Sequence, residues 1–399
     1  MIRYVSFTLV SILFLISLFW PVDGWSTEKS PVYATFENLV LPLENAPGGK
    51  VTLEKGYFVQ KSHLHGGSSR FQARIEKVTT SSWKGTKVAA LVLAYETGGS
   101  GTFRTLFFLS CKNDRWLPKA QAQLGDRIKI HYLSLYRHGL VFVGMLEHGK
   151  NDAMCCPNKR TLKVYEISGN ILRPSGTYKV DIFPDEIRCD PTLLDRDATL
   201  ELIPQVSFSP HNQGHAWAIP THIGLVTRKN KILMRVINIQ HYIDLWFKEH
   251  DPTINIAVRR LKMALKRQVS SLSAPFDILP PRPGINDFAI FISKIPFKNG
   301  TGIGFIGRVV KDLVCIDKSQ LRFFYMGLDE GQRYLVTLSL KVSLNKDVPS
   351  TLWMCQAGVE GLRKQIDRIE KTFKQMGIDR VWPAYRHILR FISTVEIKV

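Results

Sequence analysis

Apolar and polar positions follow two different periods along this chain. From residue 32 to residue 176 the apolar residues come in short runs that fit strands. Lys87–Ala94 (KVAALVLA) is the continuous apolar run of a strand buried on both faces. Thr102–Ser110 (TFRTLFFLS) follows after Gly98-Gly99-Ser100-Gly101, which predicts a hairpin. Arg127–Tyr136 and Leu140–Leu146, joined at Arg137-His138-Gly139, predict a second. Shorter strands are expected at Lys50–Leu53, Phe71–Val78, Thr161–Glu166 and Asn170–Arg173. With no long helical stripe among them, this part reads as an antiparallel all-β sandwich or a partly open barrel.

Helical spacing enters in the second half. Asp251 as N-cap and Pro252 in the first turn open a run in which Ile254, Val258, Leu261, Leu265, Val269 and Leu272 recur every three or four residues. A Pro-rich loop over Ala274–Asp287 precedes strand-like runs at Phe288–Ile295, Gly302–Ile316, Leu321–Leu328 and Arg333–Leu344. A second helix is predicted over Gln356–Met376 from Val359, Leu362, Ile366, Ile369, Phe373 and Met376, with Gly377 as its stop. Its apolar seam suits packing on a sheet better than a coiled-coil dimer. Ile392–Val399 alternates and predicts a closing edge strand. The class expected for the whole is α+β in two domains, residues 32–176 and 202–399, the latter an antiparallel sheet with two amphipathic helices.

Charge sharpens the division. The chain of 399 residues has 54 Lys plus Arg against 34 Asp plus Glu, net +20. Residues 1–176 hold 22 basic and 12 acidic residues, residues 177–201 hold 3 and 7, and residues 202–399 hold 29 and 15. The acidic stretch 177–201 is therefore a linker or a charge-matched seam between two basic blocks. On the helix from Asp251, the side opposite the apolar stripe carries Arg259, Arg260, Lys262, Lys266 and Arg267, which reads either as a solvated helix face or as an anion-binding, membrane-surface face. No basic-plus-aromatic signature of a nucleic-acid-binding sheet is present, so no nucleic acid is expected as partner. An anionic envelope polymer or lipid surface fits the charge.

Arg3 followed by an apolar run from Val5 to Trp20, then Pro21 and the small-residue stretch to Ser26, has the layout of a secretory signal peptide. Cleavage after Gly24 or after Ser26 both fit, and an uncleaved anchor is the alternative. The remainder is expected to be exported, periplasmic or extracellular. In that setting Cys111, Cys155, Cys156, Cys189, Cys315 and Cys355 are disulfide candidates, with 15 possible connectivities. Cys155 and Cys156 are adjacent, so a strained vicinal bond competes with a bond from one of them to Cys111. A Cys/His nucleophile with His148 would need a reducing compartment.

The remaining chemistry is sparse. His63/His65 and His211/His215 are the closest histidine pairs, but Pro210 and Gly214 place the second in a loop, and no metal or cofactor is expected. The glycines of Thr97–Thr102 lack the Lys-Ser/Thr that completes a phosphate loop, and no nucleophile elbow appears. Asn299-Gly300-Thr301 has the form of a glycosylation acceptor.

Leu124-Gly125-Asp126-Arg127 followed by His148–Pro157 (HGKNDAMCCP) resembles the LppP/LprE-like envelope lipoprotein module, over residues 32–176. The resemblance implies a sheet-rich domain outside the cytoplasm and no established activity. Related modules carry a calcium-type Asp-x-Asn-x-Asp-Gly turn where this chain has Ser81-Ser82-Trp83-Lys84-Gly85, so that site is not carried over, and the lipid-bearing cysteine is absent. Gly302–Pro349 is similar to another uncharacterised segment found behind that module. The function expected is that of an exported, non-catalytic binding or envelope-associated protein. A secreted hydrolase with an unassigned pocket and a thiol-disulfide factor using Cys155 and Cys156 are the alternatives.

Overall fold

The computed structural model describes residues 35–64, 67–136, 139–149, 152–153, 156–205, 218–229, 231–248, 251–267, 278–280, 285–310, 315–355 and 358–398. The segment expected to be a signal peptide, Cys155, His65, His211 and His215 lie outside the described residues. The protein is mostly β, with 49% of residues in strands and 23% helical, in several antiparallel sheets that do not close into a barrel. Residue contacts group the chain into two compact units, one reaching to Asp126 and including Ser168–Leu172, the other comprising Arg127–Ile167 and Arg173–Val399. The boundary at Asp126 falls ahead of the acidic stretch 177–201, which lies wholly inside the second unit.

In the first unit, β1 (Val40–Pro42) pairs with β2 (Lys50–Thr52), and β3 (Tyr57–Leu64), β4 (Gly67–Trp83), β5 (Thr86–Glu96), β6 (Phe103–Lys112) and β7 (Arg115–Asp126) are antiparallel neighbours in that order. The expected hairpin of residues 87–94 with 102–110 is present as β5 and β6, Val88 facing Ser110. Two tight turns hold the meander. Lys84 and Gly85 (φ 49° and 76°) join β4 to β5, and Asn113 and Asp114 (φ 50° and 56°) join β6 to β7, the left-handed pairs whose twist matches a two-residue hairpin. Strand β7 carries Pro118, which is accommodated where the register shifts between Phe108 and Leu109 of β6, a bulge that spares the missing N–H. Phe36, Leu41 and Leu53 from the N-terminal segment pack on Phe71, Leu91, Leu93, Tyr95 and Phe107 to form the core.

The second unit begins with β8 (Lys129–Tyr136), β9 (Leu140–Glu147) and β10 (Lys159–Ser168), and then β11 (Ile171–Lys179), most of which belongs here. Its main element is a seven-stranded sheet built from β13 (Thr199–Ile203), β14 (His222–Val226), β15 (Ile232–Asn238), β16 (Ile285–Phe297), β17 (Gly300–Val310), β18 (Arg322–Asp329) and β19 (Tyr334–Lys341), in the order β13-β14-β15-β19-β18-β17-β16. Every neighbouring pair is antiparallel.

Both faces of that sheet are apolar, because the strand period of two sends Phe323 and Tyr325 to one side and Phe324, Met326 and Leu328 to the other. Helices α1 (Ile239–Phe247) and α2 (Thr253–Lys266) cover one face with Tyr242, Trp246, Ile254, Val258 and Leu261. Helices α3 (Val359–Met376), α4 (Ile378–Val381) and α5 (Tyr385–Thr394) cover the other with Leu362, Ile369, Phe373, Ile388 and Phe391. Glycine at position 302 is required by close approach, since a Cβ there would stand 2.5 Å from the Tyr325 ring and 2.6 Å from the Met326 carbonyl oxygen.

Among the described residues the sheet therefore carries five helices where the periodicity predicts two. The apolar spacing of Ile254, Val258, Leu261 and Leu265 and the stop at Gly377 (φ 77°) agree with the sequence reading, whereas Val269 and Leu272 lie outside the described residues. Helix α2 starts at Thr253, with Asp251 Oδ1 accepting from the Thr253 N–H at 2.8 Å. The expected edge strand from Ile392 is corrected: Ile392–Thr394 end helix α5, and only β20 (Glu396–Ile397) pairs, with β12 (Ile187–Arg188). Alternation over 395–399 is too short to define where a strand starts.

The acidic stretch 177–201 joins the same core through Val180, Ile182, Phe183 and Ile187. Its carboxylates meet basic residues from both sides along the chain. Glu186 takes both terminal nitrogens of Arg160, one at 2.6 Å, and also accepts from the Phe183 N–H at 2.8 Å. Asp185 lies 3.1 Å from His131 Nδ1, and that ring stacks on Phe183 at 4.8 Å and 8°. Asp181 lies 3.1 Å from His241 of α1.

A second tie fixes α3. Cys315 and Cys355 form a disulfide across 40 residues. The buried Gln365 of α3 accepts from Ile316 N–H (2.7 Å) and donates to the carbonyls of Ile316 (2.8 Å) and Leu352 (3.2 Å). The fully buried Arg308 donates to Cys315 O at 3.0 Å.

Three variants have expected outcomes for unfolding in urea. Glu186→Ala removes a two-pronged charged contact and leaves Arg160 and the Phe183 N–H unmatched, a loss of about 2 kcal/mol. The surface pair of Glu370 with Lys374 on α3, removed by Glu370→Ala, costs less than about 0.5 kcal/mol. Cys355→Ala opens the 40-residue loop and lowers stability by about 4 kcal/mol, measured against the oxidised protein.

Candidate functional site

Helix α2 packs on the sheet through Ile254, Ala257, Val258 and Leu261. The 3.6-residue turn then forces positions 256, 259, 260, 263, 266 and 267 outward. Of the basic residues read from the sequence, Arg259, Arg260, Lys266 and Arg267 are exposed and Lys262 is half-buried against the helix flank. Two apolar residues stand in the same outward stripe, Ile256 at 44% and Met263 at 51% exposure, and Phe247 at the end of α1 is 66% exposed. The spacing rule that found the basic positions left these out. Ile256 and Met263 fall off the buried stripe in the sequence, which was the available signal.

The cysteines divide. Cys315 and Cys355 are bonded, Cys156 is disulfide-bonded as well, and Cys155 lies outside the described residues. Cys111 and Cys189 carry free thiols, so two of the six disulfide candidates are unpaired, one on each side of residue 176, and the bond from Cys111 to Cys155 or Cys156 is corrected. The residue across the ladder from Cys111 is Trp116, and it presents no sulfur. Cys189 packs against the second unit's core, where burial, with Asp190 adding to it, pushes its thiol up to about 11. Such a thiol is inert. In the His148–Pro157 segment, Asp152 Oδ2 accepts from Gly149 N–H (2.7 Å) and Asn158 N–H (3.0 Å), and these bonds hold its carboxyl below the usual range. The exposed carboxylate thus ties Gly149 to Asn158.

The side chain of Asn299 donates to Ile397 O (2.6 Å) and accepts from Ile397 N–H (3.1 Å), pinning β20. The glycosylation-type sequence is committed to folding at this position. Among the described residues, no group of three His, Cys, Asp or Glu side chains is placed to hold a metal ion.

One polar group escaped the sequence reading. His222 is buried at the start of β14, with Nδ1 2.8 Å from Pro220 O, so that nitrogen carries the proton. Arg235 of β15 and Tyr242 of α1 interact electrostatically with each other, and Arg235 with His222. Nε2 of His222, Nε of Arg235 and the Tyr242 hydroxyl have no hydrogen-bond partner among the described residues. Burial above all, and then the Arg235 charge, push His222 down to about 3. Burial also lowers the Arg235 pKa and raises that of Tyr242. The arrangement keeps an uncharged imidazole beside a guanidinium under helix α1. Its sequence signal was a single Arg inside the apolar strand Ile232–Asn238.

No protein-family model, curated protein or solved structure matches the chain.

An acid-side stability loss is expected from His222. The unfolded ring takes a proton below about pH 6.5, whereas the folded ring stays neutral down to about 3, so the unfolded state binds more protons in that window. Stability from this residue is present above pH 6.5 and falls as pH drops toward 3, at up to about 1.4 kcal/mol per unit. His222→Asn, which still offers a donor to Pro220 O, flattens the slope of unfolding free energy between pH 6 and pH 4.

Proposed function

We propose that the protein is an exported, non-catalytic binding protein that docks onto an anionic lipid surface through the outer face of helix α2. The observation that carries this reading is the mixed stripe Ile256, Arg259, Arg260, Met263, Lys266 and Arg267, in which exposed apolar side chains lie among exposed cations. Cations alone would suit any polyanion. Apolar residues at the same level favour a bilayer interface, where they enter the acyl boundary while the basic groups meet phosphates. The net charge of +20 supports attraction over longer range.

No helix among the described residues is long and apolar enough to cross a membrane. The Cys315–Cys355 bond is compatible with an oxidising compartment, and the apolar run Val5–Trp20 behind Arg3 supports export. The resemblance of residues 32–176 to the envelope lipoprotein module points to the same place.

Cosedimentation with vesicles tests the reading. Equimolar phosphatidylglycerol and phosphatidylcholine vesicles retain the full chain at low salt and release it as salt rises, and pure phosphatidylcholine retains little. Arg259→Gln, Lys266→Gln and Arg267→Gln each weaken retention about fivefold. Met263→Ser weakens it with no change in salt dependence. Equal retention by both vesicle types, or none at low salt, overturns the proposal.

A further inference from the structure

A cleft of about 200 Å³ opens on the first unit, between strands β3, β4 and β5 and Thr102. Its floor carries Ala94; the neighbouring Ala73 and Tyr95 point to the opposite, core face of the sheet, where the Tyr95 hydroxyl is fixed by Asn45 Nδ2 (3.2 Å) and Gln123 Nε2 (3.0 Å). Strand register sets the wall. Tyr57 stands opposite Arg74, and Val59 opposite Gln72, which in turn stands opposite Glu96. Tyr57 is 57% exposed and Val59 50% exposed on a strand that is the edge of its sheet. Gln72 Nε2 donates to Glu96, and the Thr102 hydroxyl donates to the other Glu96 oxygen at 3.4 Å. Arg70 and Arg74, both exposed, make no ion pair among the described residues.

We propose that this cleft binds a carboxylate-bearing pyranose, as a free sugar acid or as one unit of an acidic polysaccharide. The volume lies below the roughly 300–1,000 Å³ of sites for drug-sized ligands and admits a single ring. A pyranose offers an apolar C–H face, which packs on the exposed Tyr57 ring over the apolar floor. Its hydroxyls exchange hydrogen bonds with the fixed Gln72–Glu96 pair, which presents both donors and acceptors at known positions. A ring carboxylate meets the guanidinium fork of Arg74, with Arg70 two steps along the same strand face, beyond Gln72. Glu96, held by Gln72 and Thr102 one row along from Arg74, disfavours an anion in its own row and so leaves the carboxylate end of the ligand to Arg74. The cleft holds one carboxylate and no acid–base pair, so the arrangement binds and does not hydrolyse.

Titration calorimetry on the full chain, with methyl β-glucuronoside and methyl β-glucoside as probes, tests the site. Glucuronoside binds at least tenfold tighter than glucoside. The double variant Arg70→Gln/Arg74→Gln removes that preference, and Tyr57→Ala weakens both ligands about tenfold with an unchanged melting temperature. Arg259→Gln/Lys266→Gln on helix α2 leaves both affinities as they were, which separates this cleft from the lipid-facing helix. Tetragalacturonate binding tighter than monomeric galacturonate assigns the site to a polymer, and equal binding assigns it to the free acid. Equal affinity for the two methyl glycosides, indifference to Arg70, Arg74 and Tyr57, or absence of binding by every probe overturns the proposal.

Discussion

An antiparallel sheet that is apolar on both faces has to be covered twice, and the second unit is organised by that requirement. Strand β18 makes it plain: Phe323 and Tyr325 point one way, Phe324, Met326 and Leu328 the other, and all are buried. Neither face can be left to water without exposing large aromatic rings. Helices α1 and α2 close one side, and α3 with α5 close the other. Once α2 is committed to the sheet by Ile254, Val258 and Leu261, its remaining surface is fixed as well. The outward stripe of cations with Ile256 and Met263 is thus a consequence of how the inner face is anchored.

Covering two faces brings polar groups into the interior, and several are handled locally. Gln365 satisfies both backbone groups of Ile316 beside the Cys315–Cys355 bond. Glu186 balances Arg160 and the Phe183 N–H at once. The acidic run 177–201 consequently works as part of the second unit's packing, its apolar residues in the core and its carboxylates on the basic side chains around it. The group of His222, Arg235 and Tyr242 is arranged differently, since three of its polar atoms stay without hydrogen-bond partners among the described residues.

Legibility followed the strength of the local pattern. The hairpins of β5 with β6 and β8 with β9 were readable because their apolar runs are long and their turns are marked by glycine. Helix α3 was readable from six apolar positions and a terminal glycine. Strand β7 (RWLPKAQAQLGD) was not, because one side of it is exposed and Pro118 argues against a strand until the bulge opposite it is known. Helices α1 and α5 span nine and ten residues, too few for periodicity to separate them from strands. The cleft beside Tyr57 was illegible for a different reason: Tyr57, Arg74 and Glu96 lie on three strands, and only register makes them neighbours.

By itself, the sequence determined what depends on neighbours along the chain: the β-rich first part, the apolar stripes of α2 and α3, the helix stop at Gly377, and the basic positions of one helix face. Those features arise from periods of two and 3.6 residues and from backbone angles that glycine adopts freely. Tertiary structure decided which cysteines meet, that Cys111 faces Trp116 and Cys189 sits in the core, and which unit the acidic run belongs to. It also decided where a ring and a carboxylate would find Tyr57, Gln72, Glu96 and Arg74 together. Such encounters are set by strand register and by which face is buried, and no residue's immediate neighbours in the chain specify either.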